Sequence, residues 1–330
     1  MNPVTSRQIR LYYCLEDYVS SISVPDLPSA QVWEPLPILS ESLSAEYTHA
    51  SYSHLSDYSD FSRQQLIDVS HQGGFSCYFK LDSFFLSALL SIIRSTTQLT
   101  TEEYSSFSAA NAESDERFAL LKVVQHESTV DYFVYRNCAV SQVSTSFEYG
   151  SFPISSFSFE AEVGQSYAGV DPNSLPASIA SWVLKPEIFV DPTEEAEALQ
   201  SVTFSSAGSA IDLISLNLDL SITRNLGVFD ALSNLDYKKL IYSGTSEAII
   251  SGSFYYTDGS VIQSIASEEA SSVSMVLKSG SSTLTLTLPA TQAMGASHPT
   301  AESADTDVLF TASFSSVPNN GTEIQLSYTA

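Results

Sequence analysis

Between Ile214 and Ile222 the chain alternates without a break. Ile214, Leu216, Leu218, Leu220 and Ile222 stand against Ser215, Asn217, Asp219 and Ser221. Successive side chains of a strand point to opposite faces, so this is a strand with one face on a core and the other in water; a helical period would scatter the same residues round the whole circumference. The pattern recurs. In Ser156 to Val163 the apolar side is Phe157, Phe159, Ala161 and Val163 and the polar side Ser156, Ser158, Glu160 and Glu162, while Leu284, Leu286 and Leu288 oppose Thr283, Thr285 and Thr287. Phe118 to Gln125, Val130 to Arg136 and Phe75 to Lys80 read as further strands. The chain is mainly β.

Helices are few. Asp82 is a good N-cap, and Phe85, Leu86, Leu89, Leu90 and Ile93 fall on one helical face, which predicts a helix over 82–95; Val261 to Ala266 predicts a shorter one. The polar, Tyr-rich stretch from Tyr47 to Phe61 reads as a surface loop. Asn319-Asn320-Gly321, followed by alternating Ile324, Leu326 and Tyr328, reads as a hairpin turn. Pro172, Pro176, Pro186 and Pro192 with the acidic run at Glu194, Glu195 and Glu197 mark 168–197 as a linker, dividing the chain into domains at 1–167 and 198–330. The halves echo each other. Gly74 leads into Tyr78-Phe79, Asp82-Ser83 and an apolar helix; Gly252 leads into Tyr255-Tyr256, Asp258-Gly259-Ser260 and a second apolar segment.

Charge narrows the function classes. Lys and Arg number 13 against 38 Asp and Glu, a formal charge of -25, which repels phosphate and argues against gripping nucleic acid. Cys14, Cys77 and Cys138 are an odd set without CxxC spacing, expected as reduced thiols. The N-terminus lacks a signal-peptide apolar region, and the run from Ser83 to Ile93 is too short to span a bilayer, so neither export by a classical signal nor a membrane is expected. The five His (His49, His54, His71, His126, His298) show no metal-ligand spacing, and no P-loop, GxGxxG or GxSxG is present. Asp305-Thr306-Asp307 and Asp258-Gly259-Ser260 read as turns or caps, not cation loops. No catalytic residue, cofactor or metal is expected, and the chain reads as non-enzymatic.

Tyr135 to Phe147, Leu213 to Gly227, Glu247 to Tyr256, Leu284 to Pro289 and Asp307 to Phe314 are alternating strands and turns in an order that resembles the tail tube proteins of long-tailed bacteriophages. That resemblance implies two tandem tail-tube-like β-barrel or sandwich domains, each with a short flanking helix. It also implies self-association into rings that stack into a tube in the virion tail, assembled in the host cytoplasm. With two domains per chain, trimers imitating six-fold rings are favoured and hexamers are the alternative. Tape-measure and tail-terminator proteins are the expected partners, and DNA would pass without specific binding during ejection. Glu160, Glu162, Asp219 and Asp131 are the candidate acids lining the bore. The competing class is another β-sandwich virion protein, an adhesin or head decoration module, in which Trp33 and Trp182 would cluster at a sugar-sized groove.

Overall fold

Antiparallel ladders carry nearly all of the regular structure. The computed structural model describes residues 8–16, 32–56, 59–93, 117–176, 179–186, 199–206, 209–230, 238–257, 259–266, 271–297, 299, 308–317 and 324–329. The first half comprises β1 (Ile9–Glu16), β2 (Val32–Leu36), β3 (Ile38–Glu41), β4 (Ser44–Ser56), β5 (Ser59–Tyr78), α1 (Ser83–Ile92), β6 (Arg117–Gln125), β7 (Val130–Glu148), β8 (Ile154–Ala161) and β9 (Val163–Val170). After the short β10 (Val183–Leu184), the second half comprises β11 (Leu199–Ser206), β12 (Ser209–Leu213), β13 (Ser215–Asp230), β14 (Lys238–Tyr255), α2 (Ser260–Ala266), β15 (Ser271–Ser279), β16 (Ser282–Ala296), β17 (Leu309–Ser316) and β18 (Gln325–Thr329).

The two halves are the same sheet built twice. In the first, β3 and β4 pair with β5, β5 with β8, β8 with β7, β7 with β9 and β6, β6 with β1, and β1 with β2. In the second, β13 pairs with β14, β14 with β17, β17 with β16, β16 with β18 and β15, β15 with β11, and β11 with β12. Even the irregularities coincide. Ile38↔Cys77 slips to Ser40↔Ser76, as Ser215↔Phe254 slips to Asn217↔Ser253. Phe118↔Cys138 slips to Leu120↔Tyr135, as Ser271↔Thr291 slips to Val273↔Leu288. Val140↔Phe159 slips to Gln142↔Ser158, as Ala293↔Phe314 slips to Gly295↔Ser313. A bulge bends its strand and raises the local twist, so three bulges in matching places give both halves the same bends.

Inside the bends lies one apolar core shared by both halves. Asp82 caps α1 as expected, its carboxylate accepting from the Phe85 N–H at 2.9 Å. Phe84, on the inward face of α1, meets Tyr13, Phe75, Phe118 and Phe157 at centroid separations of 4.9, 5.5, 5.4 and 5.1 Å. The helix end is held by Arg224 of β13, whose Nη1 donates to the Ile92 carbonyl at 3.2 Å.

Two expectations need correction, and one is refined. The stretch from Tyr47 to Phe61 belongs to the long β4–β5 hairpin rather than to a loop, with pairs running from Ser44↔Gln72 out to Ser56↔Ser59. β17 and β18 both lie along β16, and among the described residues they do not pair with each other; Asn319–Gly321 lies outside those residues. Part of the expected linker packs on the first half. β9 runs on to Val170, β10 pairs parallel with β2, and Ile179 and Trp182 cover the outer face of β1 and β6. That cover explains why Phe118 to Val124 is apolar almost throughout: both faces of β6 are buried.

Candidate assembly site

The outward sides of β3 to β5, β7, β8, β13, β14 and β17 form one face. Its rows are built from Ser76, Ser156, Ser144 and Ser221, and from Ser146, Asp219, Ser251 and Ser313. Hydroxyls and amides there bond to one another: Ser40 to Ser76 at 2.6 Å, Gln142 to Ser221 at 3.3 Å, and Ser315 to Glu247 at 3.1 Å. Along the paired stretches the outward acids include Glu46, Asp68, Glu148, Glu160, Asp219 and Glu247, while Arg63 pairs with Tyr52 farther out on β5 and Lys238 and Lys239 pair with Asp230 and Phe229 at the start of β14.

The four candidate acids separate. Glu160 and Asp219 share this face, Glu160 opposite Gln72 and Asp219 between Ser146 and Ser251. Asp131 lies elsewhere, at the start of β7 on the sheet with β6 and β9. It bonds His126 Nε2 at 2.8 Å and the Gly169 N–H at 2.6 Å. Burial opposes its charge, but these partners outweigh that and hold the carboxyl below its ordinary value. Glu162 is only 1% exposed and leaves the water-facing set. The alternation of β8 stops there, because Ala161, Glu162 and Val163 are all buried where the chain turns from one sheet to the next. Its carboxylate accepts from the Leu240 N–H at 2.9 Å and from Asn137 Nδ2 at 3.0 Å, and Arg117 Nη2 donates to the Leu240 carbonyl at 3.0 Å. Asn137 itself takes φ 50, the left-handed conformation that Asn tolerates at such a corner.

Glu162, Arg117 and Leu240 clamp the place where the two halves meet. The meeting itself is a strand joint. β13 adds antiparallel to β7 from Asn217↔Glu148 through Ile222↔Val143 to Thr223↔Gln142, on the side of β7 not used by β8. The matched registers identify the equivalents of these two strands. Ser44↔Gln72 corresponds to Ser221↔Ile249, so Ser44, Ala45 and Glu46 stand where β13 has Ser221, Ile222 and Thr223. Gly295↔Ser313 corresponds to Gln142↔Ser158, so Gly295, Ala296 and Ser297 stand where β7 has Gln142, Val143 and Ser144. Among the described residues, β4 pairs only with β5, and this part of β16 only with β17. One half thus joins the other, while the same two edges remain open at the extremes of the chain. Sequence reading missed the joint, since an edge and an interior strand carry the same alternation.

Other features are structural. Trp33 is fully buried, 5.4 Å from the Trp182 ring, beneath the packed linker rather than in a groove. Burial pushes the Cys77 thiol up to about 12, far from a reactive thiolate. Among the described residues no three His, Cys, Asp or Glu side chains converge, and no helix is long and apolar enough to cross a membrane.

No known protein family and no curated protein matches the chain. Among solved structures, half of the chain is similar to a baseplate chain of the anti-feeding prophage, at 9% identity and TM-score 0.34, over 51% of this chain and 97% of that one. It is likewise similar to a chain in the sheath/tube terminator of an extracellular contractile injection system, at 12% identity and TM-score 0.32, over 51% of this chain and 99% of that one.

Proposed function

We propose that the protein is a structural subunit of a bacteriophage-type tail tube and not an enzyme. The observation that carries this reading is the joint of β13 on β7, repeated by two open edges of matching register at β4 and β16. A second copy offering β4 to the exposed side of β16 would reproduce the internal joint between chains. Such a head-to-tail contact is heterologous, and it closes into a ring when the rotation per step divides the circle. Two like modules per chain make three chains the natural count for six positions, with domains at 1–167 and 198–330 as the repeating units. Stacked rings would form a tube in the virion tail, assembled in the host cytoplasm with tape-measure and terminator proteins. The hydroxyl face carrying Glu160 and Asp219 suits the bore. Its acids and hydroxyls would repel a polyanion rather than bind it, so a genome can slide during ejection.

The test is a pair of cysteine variants. S44C/S297C should give a cross-link between chains with a short bismaleimide, and S144C/S221C, the same pair of positions in the internal joint, a cross-link within one chain. Negative-stain images of the purified protein should show rings or tubes. Efficient intrachain coupling in S144C/S221C with none between chains in S44C/S297C, at concentrations where the protein is assembled, would refute the reading.

A further inference from the structure

We infer that Glu41 and Lys122 form a latch that holds the β4 edge closed until a second copy of this chain displaces it; this rests on the edge-to-edge assembly proposed above. The argument begins with Leu43. Its neighbour Ser42 donates its N–H to the Gly74 carbonyl of β5 at 2.8 Å, so the Leu43 N–H and C=O point the other way, toward the open edge. The counterpart of Leu43 is Leu220, which in the internal joint stands opposite Thr145 of β7. At Leu43 no strand is present, yet neither backbone group is left open. Glu41 Oε2 accepts from the Leu43 N–H at 3.0 Å, and Lys122 Nζ donates to the Leu43 carbonyl at 3.2 Å. The two side chains are tied to each other, with Lys122 Nζ 2.8 Å from Glu41 Oε1 and 2.9 Å from Oε2. Together they imitate one rung of the missing ladder.

The second half shows that these charges are not required by the fold. Glu41↔Phe75 corresponds to Leu218↔Gly252, and Lys122↔Phe133 to Met275↔Leu286. Leu218 and Met275 are both fully buried. Two buried apolar side chains in the half whose edge is already joined stand where the half with the open edge has an ion pair. An inward-pointing charge is one of the ways in which proteins blunt a strand edge that would otherwise recruit any passing strand. Here it caps the pair of backbone groups at the β4 edge that an arriving strand would need.

The double variant E41L/K122M installs the residue pair of the second half. Its concentration threshold for ring or tube formation, read by sedimentation and by the interchain cross-link in an S44C/S297C background, should fall on the order of tenfold or more, because two backbone hydrogen bonds no longer have to be exchanged. E41Q, which keeps the shape but removes the charge, should give a smaller fall in the same direction. Its result decides the matter alone if the double variant does not unfold cooperatively. An unchanged or raised threshold, with the cross-link still forming between wild-type edges, overturns the latch and leaves the edge-to-edge assembly standing. Absence of the interchain cross-link in every background overturns the assembly and the latch with it.

Discussion

Replacing Glu162 with alanine separates a buried clamp from a water-facing acid. In the folded chain the carboxylate accepts two hydrogen bonds, from the Leu240 N–H and from Asn137 Nδ2, in a site that is 1% exposed. Leaving a buried donor unpaired costs about 1–3 kcal/mol, and two such donors place E162A at about 2–6 kcal/mol. Water entering the vacated space offsets part of this, so the lower half of that range, about 2–4 kcal/mol, is expected. E162Q retains one acceptor oxygen and should cost roughly half as much. The assay is urea unfolding at constant m. With m near 3 kcal/mol per molar for a chain of this size, the midpoint of E162A should fall by about 1 M. Asp219→Ala is the control, since Asp219 is exposed on the hydroxyl face and its removal should stay within about 0.5 kcal/mol. If E162A proves as mild as D219A, the carboxylate stands in water and the account of the corner is wrong.

F84A empties the centre of the ring cluster joining α1 to β1, β5, β6 and β8, and should cost about 3–5 kcal/mol by the same unfolding assay. G252V should cost about 1–3 kcal/mol, because a Cβ there would run into the Asn217 backbone carbonyl where β14 crosses β13. Asp131 has its folded carboxyl held below the ordinary value, so its contribution is present above the unfolded value and is lost as pH falls through the folded one. A pH series of unfolding midpoints should therefore show a shallower loss on the acid side in D131N than in the wild type.

Stretches of strict alternation, such as Asn217 to Ile222 and Ser156 to Ala161, are legible in the sequence because one face meets a core and the other meets water, whereas Ile214, expected on the core face, is exposed because the bulge at Leu216 reverses the count. Asp82 is legible too, as a local signal that needs no tertiary partner. The β4–β5 hairpin is not, because beyond His71 it leaves β8 and, among the described residues, pairs only within itself, without the further neighbouring strand that the other long strands have. β6 hides its alternation for the opposite reason, being covered on both sides by the core and by Ile179 and Trp182. Glu162 reads as outward by counting from Glu160, but the count fails where the chain changes sheets after Ala161. The latch at Glu41 and Lys122 is invisible from 81 positions apart until the registers bring both beside Leu43. Internal echoes in sequence, Gly74 with Gly252 among them, hint at duplication, whereas the shared bulges appear only in the ladders.

Joining two modules in one polypeptide changes how a ring can be put together. In the proposed ring half of the seams would be intramolecular, so their formation would not depend on protein concentration, and only alternate seams would have to be found by diffusion. Fewer bodies would have to meet, and the two kinds of seam could drift apart in strength, the internal one being clamped by Glu162 and Arg117. A circular particle built this way would come apart first at every second boundary, releasing intact pairs of modules.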